Sequence, residues 1–573
     1  MKKTLKTILS AAFISALASC SLQEKVYTQT DESYIDGAEM AESVLLNVYR
    51  DLGVDGIYRQ YLPFVFGLPT DEGKTEGNSV VSWRAEASNA YNSSDTYVEG
   101  TWKALYAAVY DVNYFLEMME RRMPSFDEED LEECNLFIGE AHALRALLYF
   151  ELVRWFGHVP LIKTTAESRQ APELFRQADP VDVYKFIEAE LVGAIEALPY
   201  VDEDNVRHHT AFRISKGGAL GLLTKVYATW AGYPLQDSSK WLLAVQTART
   251  LIESGHHGLL ADFEQLWKNS GSNKWDPKES LMELSYWSPL STDASCGRVG
   301  NTNGVRCVAG GLRGGQHIHN VLYYFNPTFL TGWKDYDKDK RFALTYADYQ
   351  YKPGVGAEKY ALKTVGGVKN TQVSFLQAWL DTDNESWNES WRFEYCYRLT
   401  NRKWDTEIYV PTENNQINSN YTNVNWYLLR YADVLLLYAE ALNEANGGPT
   451  AEAYEAVNQV RRRAFGLEDI NAPSALADLP SGLSQESFRK AVQDERNWEL
   501  AGEGHRRQDL VRWGIYYETV ISTYQNLNSW YFRAADYYIG ALYTRKNKNE
   551  LLPIPQREVD LCGFTQNPGW GGN

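Results

Sequence analysis

Helical periodicity in both halves of the chain is the feature that most limits its fold. Apolar residues recur every three or four positions from Trp102 to Leu116 and again from Ile138 to Phe156. This spacing is typical of amphipathic helices that bury one face. Gly157 and Pro160 follow the second run and end it, because neither residue continues a helix well.

The same periodicity predicts a series of further helices that alternate with short turns. They are expected at Met40–Leu52, Val181–Leu198, Ser215–Trp230, Lys240–Ile252, Tyr427–Glu444, Glu452–Phe465 and Gln485–Trp513. Small residues lie among the large apolar ones, which favours close packing of helix against helix. The sequence therefore predicts a mainly α protein of tetratricopeptide-like helix-pair repeats, although no strict 34-residue period is present.

The middle of the chain, residues 268–423, lacks this periodicity and is rich in Gly, Asn, Asp, Tyr and Trp. Short strand-like runs occur at Leu281–Tyr286 and Tyr395–Leu399, and one short helix is expected at Pro327–Trp333. Long irregular segments inside a compact body are uncommon and often functional. We interpret this segment as a loop-rich insertion that contains short β-strands and binds a ligand.

The N-terminus is typical of a bacterial lipoprotein. Three lysines precede an apolar run that is too short to span a bilayer, and the run ends at Leu17-Ala18-Ser19-Cys20. We expect Cys20 to be the lipidated first residue of the mature protein. The predicted organisation is a lipoprotein signal peptide (1–19), a lipidated tether (20–38), an N-terminal helical repeat region (39–267), the loop-rich insertion (268–423) and a C-terminal helical region (424–573).

Composition narrows the choice of ligand. The formal charge of −19 argues against nucleic acid, because binding phosphates requires an excess of Lys and Arg. The chain contains 18 Trp, 38 Tyr and 21 Phe, more aromatic surface than a core usually needs. Trp and Tyr offer flat apolar faces with a polar edge, which suits stacking against sugar rings.

Several segments, in order along the chain, resemble the SusD/RagB family. They are Glu140–Phe150 (EAHALRALLYF), Phe156–Leu161 (FGHVPL), Leu429–Ala441 (LRYADVLLLYAEA), the acidic and basic helix Glu495–Gly514, and the tail Leu552–Trp570. Each segment alone is weakly specific, but together they span most of the mature chain. The resemblance implies an outer-membrane lipoprotein that faces the cell exterior and passes glycans to a SusC-like TonB-dependent transporter. Some relatives handle peptides, so a peptide-binding uptake lipoprotein is an alternative.

The candidate ligand-binding residues combine flat rings with neighbouring polar side chains. One group lies in a Ser- and Asn-rich segment that resembles the place where family members carry a binding aromatic, and the others lie in the insertion. The candidates are Trp83, Arg84, Asn89, Tyr91, Trp275, Tyr286, Trp287, Arg313, His317 and Trp387.

An enzyme is the competing hypothesis. A secreted glycoside hydrolase needs two carboxyl groups across a sugar-binding cleft, and Asp71-Glu72 and Asp381-Thr382-Asp383 are candidates without a supporting motif. The carboxylates and guanidiniums of Glu495–Trp513 are interpreted as structural ion pairs. The sequence predicts no cofactor, no metal site and no catalytic residue, and a third possibility is a pure interaction scaffold with no small ligand.

Overall fold

The computed structural model of the chain describes residues 35–75, 77–203, 212–288, 296–307, 322–352, 355–365, 368–380, 398–411, 421–530 and 534–571. Within those ranges, no helix combines the length and the apolar character needed to cross a membrane.

Helices dominate the described residues, and most of the predicted ones are confirmed with small shifts at their ends. The helices of nine or more residues are α1 Ala38–Leu52, α2 Thr96–Arg122, α3 Glu128–Phe156, α4 Pro180–Ala197, α5 Lys216–Trp230, α6 Lys240–Ser254, α7 Phe263–Gly271, α8 Tyr431–Asn446, α9 Ala451–Ala464, α10 Gln485–Glu499 and α11 Tyr516–Trp530.

The helices stack on one another in the order in which they occur along the chain. Contacts join α2 to α3, α3 to α4, α4 to α5 and α5 to α6, after which α6 packs on α8, and α8 on α9 and α10. Local signals fix where helices begin: the Asp95 carboxylate accepts hydrogen bonds from the backbone N–H groups of Tyr97 and Val98, and Asp179 caps α4 ahead of Pro180. The predicted tetratricopeptide-like arrangement of helix pairs is thereby confirmed.

One predicted helix begins later than expected. The sequence favoured a helix from Tyr427, but residues Trp426–Arg430 form a strand, and α8 begins only at Tyr431. The strand pairs antiparallel with Ser280–Leu284, with Trp426 opposite Leu284 and Arg430 opposite Ser280. A short apolar run is compatible with either a buried strand or a buried helix. Here the run forms a strand because it pairs with Ser280–Leu284, which lies far earlier in the chain.

The long helix predicted for Gln485–Trp513 is also interrupted. It ends at Glu499 and resumes as a separate short helix, Arg506–Arg512. Gly502 and Gly504 between them have φ values of +72° and +77°, and a Cβ on Gly502 would lie 2.0 Å from Nδ2 of Asn401. Left-handed backbone and this close approach both require glycine, so the chain turns here.

The insertion is built from short antiparallel strand pairs and single-turn helices. The strands of the described residues are β1 Gly73–Lys74, β2 Ser280–Leu284, β3 Tyr324–Phe325, β4 Tyr346–Ala347, β5 Gln350–Lys352, β6 Gly356–Glu358, β7 Tyr360–Val365, β8 Val368–Ser374, β9 Thr400–Asn401 and β10 Trp426–Arg430, of which β1 and β10 lie outside the insertion and pair with strands inside it. They pair as β1–β3, β2–β10, β4–β9, β5–β6 and β7–β8. The β2–β10 pair joins the two ends of the insertion, and the expected helix is found at Pro327–Gly332. The strand expected at Tyr395–Leu399 falls largely outside the described residues.

A cluster of buried charges fastens the insertion to the C-terminal helices. We call it the central charge cluster, and its members are all at most 3% exposed. It consists of four cations and five carboxylates, namely Arg341, Lys403, Arg430, Arg463, Asp339, Glu279, Glu495, Glu499 and Glu503. Apart from Asp339 and Arg341, the paired residues lie on different elements, so the acidic residues Glu499 and Glu503 have the structural role interpreted from the sequence. Breaking one buried pair is costly because it leaves the partner's charge desolvated.

Candidate functional site

Trp83 and Arg84 form the first candidate site, on a surface built by a short helix at Trp83–Glu86. Both side chains are half-buried. The guanidinium carbon of Arg84 lies 4.3 Å from the centroid of the Trp83 ring. An apolar ring with planar hydrogen-bond donors beside it is the combination that a sugar requires, since sugars present C–H faces and hydroxyl groups together.

Residues with positive φ lie on both sides of this short helix. Ser82, immediately before Trp83, has a φ of +56°, and Asn89 after the helix has a φ of +58°. The left-handed region is unfavourable for Ser, and such conformations persist where the surrounding structure enforces them, often at binding sites. The Ser82 hydroxyl lies 3.4 Å from the hydroxyl of Tyr97, which brings a further ring to this surface.

Tyr97 and Tyr61 are aromatic residues that the sequence analysis missed. Their ring centroids are 4.7 Å apart, and both side chains are half-buried. Tyr97 is the second residue of α2, directly after the Asp95 cap, so its position at the surface could have been read from the helix start. We name Trp83, Arg84, Tyr97 and Tyr61 the Trp83 surface.

A buried carboxyl lies in the same short helix as Trp83. Burial first, and the hydrogen bond with Asp95 second, raise the pKa of Glu86 to about 9. Glu86 is only 1% exposed, so its side chain does not reach the surface that Trp83 and Arg84 form.

Asn89 and Tyr91, predicted as ligand contacts, lie instead in the interior. The Asn89 amide donates hydrogen bonds to the hydroxyl groups of Tyr516 at 2.8 Å and Thr544 at 2.9 Å. The Tyr91 ring stacks on Trp570 with centroids 5.1 Å apart. Both residues are at most 6% exposed, so we leave them out of the proposed site.

The second candidate group lies at the two ends of β2. Asn273 holds it together, because its Oδ1 accepts hydrogen bonds from the Ser285 hydroxyl at 3.0 Å and from Nδ2 of Asn425 at 2.9 Å. Trp275 is half-buried, and Trp287 is 37% exposed. We name Trp275, Trp287 and the amides of Asn273 and Asn425 the Trp287 surface, because these residues offer the same types of group as the Trp83 surface.

Tyr286, between these residues in sequence, is not available to a ligand. It is 2% exposed, and its ring lies against the backbones of Gly53 and Gly297. We therefore also remove Tyr286 from the candidate site. Arg313, His317, Trp387 and the lipidation candidate Cys20 lie outside the described residues.

The carboxylates considered for a hydrolase have internal partners. Asp71 accepts hydrogen bonds from Nε of Arg506 at 2.8 Å and from Nη2 of the same residue at 2.6 Å. Glu72 is 4% exposed and accepts hydrogen bonds from the Gly502 backbone N–H at 2.8 Å and from the Tyr323 hydroxyl. Burial raises the pKa of Glu72 to about 7. Asp71 and Glu72 therefore stabilise the loop at Gly502 and do not face each other across a cleft. The other candidate pair, Asp381 and Asp383, falls in a range that the structure does not describe.

Comparison with known proteins identifies the family. The model of the SusD family matches residues 324–570, and a second model, described as starch-binding and associating with the outer membrane, matches residues 24–228. A crystal structure of a SusD homolog from Bacteroides thetaiotaomicron VPI-5482 is 43% identical, with a TM-score of 0.84 over 94% of this chain and 98% of that one.

More distant relatives agree with this match. A solved structure described as a laminarin-binding SusD-like protein is 24% identical, with a TM-score of 0.62 over 93% of this chain and all of that one. SusD-like protein P25 from Formosa agariphila is 26% identical over 425 residues, which cover 74% of this chain and 71% of that protein. The matches cover both the helical stack and the insertion, and the chain belongs to the SusD family.

Proposed function

We propose that the protein is a non-catalytic glycan-binding lipoprotein of the cell surface. It captures oligo- or polysaccharide and passes it to a SusC-like TonB-dependent transporter in the outer membrane. The observation that carries this proposal is the Trp83 surface, where a half-buried indole and the Arg84 guanidinium lie 4.3 Å apart beside Tyr97.

The chemistry of this surface suits capture and release. The C–H face of a sugar ring stacks on an aromatic ring, while guanidinium and phenol groups donate hydrogen bonds to the sugar hydroxyls. A contact of this kind contributes on the order of 1 kcal/mol, so one or two stacked rings give modest affinity. Modest affinity is what a protein needs if it hands its ligand to a transporter.

The relatives support the class of ligand. One solved neighbour is described as laminarin-binding, and the model described as starch-binding and associating with the outer membrane spans residues 24–228, which include Trp83. In the proposal, the lipid on Cys20 holds the protein at the membrane, since acyl chains supply membrane affinity to an otherwise water-exposed body. The transporter acts as the partner that receives the glycan.

Affinity electrophoresis of a form that begins at Ser21 tests the proposal. The gels contain starch, laminarin, xylan or pectin, and unmodified protein is compared with Trp83→Ala and Trp83→Phe. We expect at least one polysaccharide to retard the protein, with about fivefold weaker binding for Trp83→Ala, which corresponds to about 1 kcal/mol, and an intermediate result for Trp83→Phe, which keeps a ring. Trp241→Ala is the matched control, because Trp241 is also half-buried but lies on α6 in the helical stack.

Each contrary outcome has a distinct meaning. Equal retention of Trp83→Ala and unmodified protein contradicts the location of the site. Retention by none of the polysaccharides contradicts glycan capture, and binding of a peptide mixture in its place supports the peptide-uptake alternative. Release of reducing sugar ends contradicts a non-catalytic role.

A further inference from the structure

A cleft opens within the insertion, apart from the Trp83 surface and the Trp287 surface. Its volume is about 650 Å³, inside the range of about 300–1,000 Å³ that is usual for small-molecule sites. The helix Lys340–Thr345, the first residue of β7 and the helix Phe375–Leu380 form its walls. It shares no lining residue with the Trp83 surface or the Trp287 surface.

Aromatic rings line this cleft and face solvent. Tyr336 is 58% exposed and Tyr360 is 46% exposed. The Phe342 ring centroid lies 5.3 Å from that of Tyr336 and 5.9 Å from that of Tyr346. Large rings exposed around one concave surface are unusual for a packing role and typical of a binding surface.

Polar side chains converge on the same space. Asp348 accepts hydrogen bonds from the Tyr346 hydroxyl at 3.0 Å and from the Phe375 backbone N–H at 3.3 Å. Lys359 and Gln377 line the cleft with exposed side chains. These groups offer both donors and acceptors to a ligand with many hydroxyl groups.

Arg402 brings a donor that has no partner among the residues the structure describes. Its Nη1 donates to the Ala343 carbonyl at 2.8 Å, and its Nη2 lies 3.5 Å from Glu264, whereas its Nε atom is buried and makes no hydrogen bond there. A buried donor without a partner costs free energy. Because this atom is closed to solvent, a ligand would reach it only after the Arg402 side chain moved, whereas the residue itself already lines the cleft.

We infer that this cleft, which we name the tyrosine cleft, is a second carbohydrate-binding site. It takes a short oligosaccharide that stacks on Tyr336 and Tyr360 and forms hydrogen bonds with Gln377 and Arg402. The inference rests on the proposed function for its class of ligand. Two sites on one body raise the overall affinity for a polymer, because binding at one site raises the effective concentration at the other.

Isothermal titration calorimetry with six-residue oligosaccharides tests this inference. The probes are laminarihexaose and maltohexaose, or fragments of equal length from another polysaccharide that the electrophoresis retains. The proteins are the unmodified form, Trp83→Ala, the double variant Tyr336→Ala/Tyr360→Ala, and the matched control Tyr110→Ala on α2. Thermal unfolding verifies that each variant folds, and the double variant with Phe at both positions keeps the rings.

We expect the double alanine variant and Trp83→Ala each to bind one equivalent fewer than the unmodified protein and Tyr110→Ala. The double phenylalanine variant should bind as many equivalents as the unmodified protein. If the double alanine variant loses one equivalent and Trp83→Ala loses none, the tyrosine cleft is supported and the assignment of Trp83 is contradicted. Unchanged binding by the double alanine variant overturns the inference and leaves the proposed function intact. Binding of no glycan by unmodified protein contradicts the proposed function itself.

Discussion

Replacing Glu499 with glutamine should destabilise the whole protein, because this carboxylate is the junction of the central charge cluster. Its Oε1 accepts hydrogen bonds from Arg430 at 3.0 Å and Arg463 at 2.7 Å, and its Oε2 accepts one from Arg341 at 3.0 Å. Glutamine keeps the shape, but it removes one of the five negative charges of the cluster and turns an NH₂ group toward a guanidinium. Breaking a buried pair costs about 3–5 kcal/mol. Because glutamine retains one acceptor oxygen, we expect the free energy of unfolding to fall by about 3 kcal/mol, the lower end of that range.

Urea unfolding followed by tryptophan fluorescence measures this change. The matched control is Glu486→Gln, which lies in the first turn of the same helix α10 but is exposed. An exposed substitution usually changes stability by at most about 0.5 kcal/mol. If Glu499→Gln differed from Glu486→Gln by less than that, the central charge cluster would not hold the insertion to the helices in the way argued above.

The pH dependence gives an independent readout of the same carboxylate. Burial alone would raise the pKa of Glu499, but the charges of Arg463, Arg430, Arg341 and Lys403 outweigh burial and hold the pKa well below its ordinary range. The ionised form therefore contributes stability that is present above the ordinary pKa of about 4.3 and is lost as the pH falls below it. Unfolding midpoints of unmodified protein and Glu499→Gln should approach each other in acid, and a constant difference at every pH would contradict this.

Three further predictions concern the residues around the candidate sites. Asn89→Ala should lower the free energy of unfolding by about 2–3 kcal/mol, because it leaves buried partners such as Arg507 without their hydrogen bond. Its glycan affinity should not change, and weaker glycan binding by the folded variant would show that Asn89 belongs to the binding site. The raised pKa of Glu72 means that ionising this carboxyl destabilises the folded state, so unmodified protein should lose stability as the pH rises from about 4.3 to about 7. Glu72→Gln does not ionise, so its free energy of unfolding should increase by roughly 1–3 kcal/mol relative to unmodified protein over the same pH range. A difference in free energy of unfolding that does not depend on pH would refute that reasoning. Trp287→Ala should weaken glycan retention by about 1 kcal/mol without loss of stability, because its ring is exposed; unchanged electrophoretic retention would exclude the Trp287 surface.

Local sequence signals predicted the helical part of the fold well. Periodicity alone located α2 and α4, although the caps Asp95 and Asp179 begin these helices at Thr96 and Pro180, ahead of the predicted Trp102 and Val181. These signals act within a few residues of one another, so one sequence is enough to read them. The strand Trp426–Arg430 could not be separated from a helix, because its partner strand begins at Ser280 and only the folded chain brings the two together.

The candidate site was predicted less completely, for the same reason. Trp83 and Arg84 are neighbours in sequence, and their pairing was visible. The burial of Asn89 depends on Tyr516 and Thr544, more than 400 residues away, and no local pattern reports it. The tyrosine cleft draws its rings and polar groups from several elements of the insertion, so its residues share no motif.

The most direct test of the account is one calorimetric titration of the form that begins at Ser21 with the polysaccharide retained in the gels, followed by a reducing-end assay of the same sample. The account predicts saturable binding that weakens about fivefold in Trp83→Ala, together with no increase in reducing ends. New reducing ends would show that the protein is an enzyme. If neither Trp83→Ala nor the Tyr336→Ala/Tyr360→Ala variant changed the binding, the glycan would bind elsewhere on the molecule.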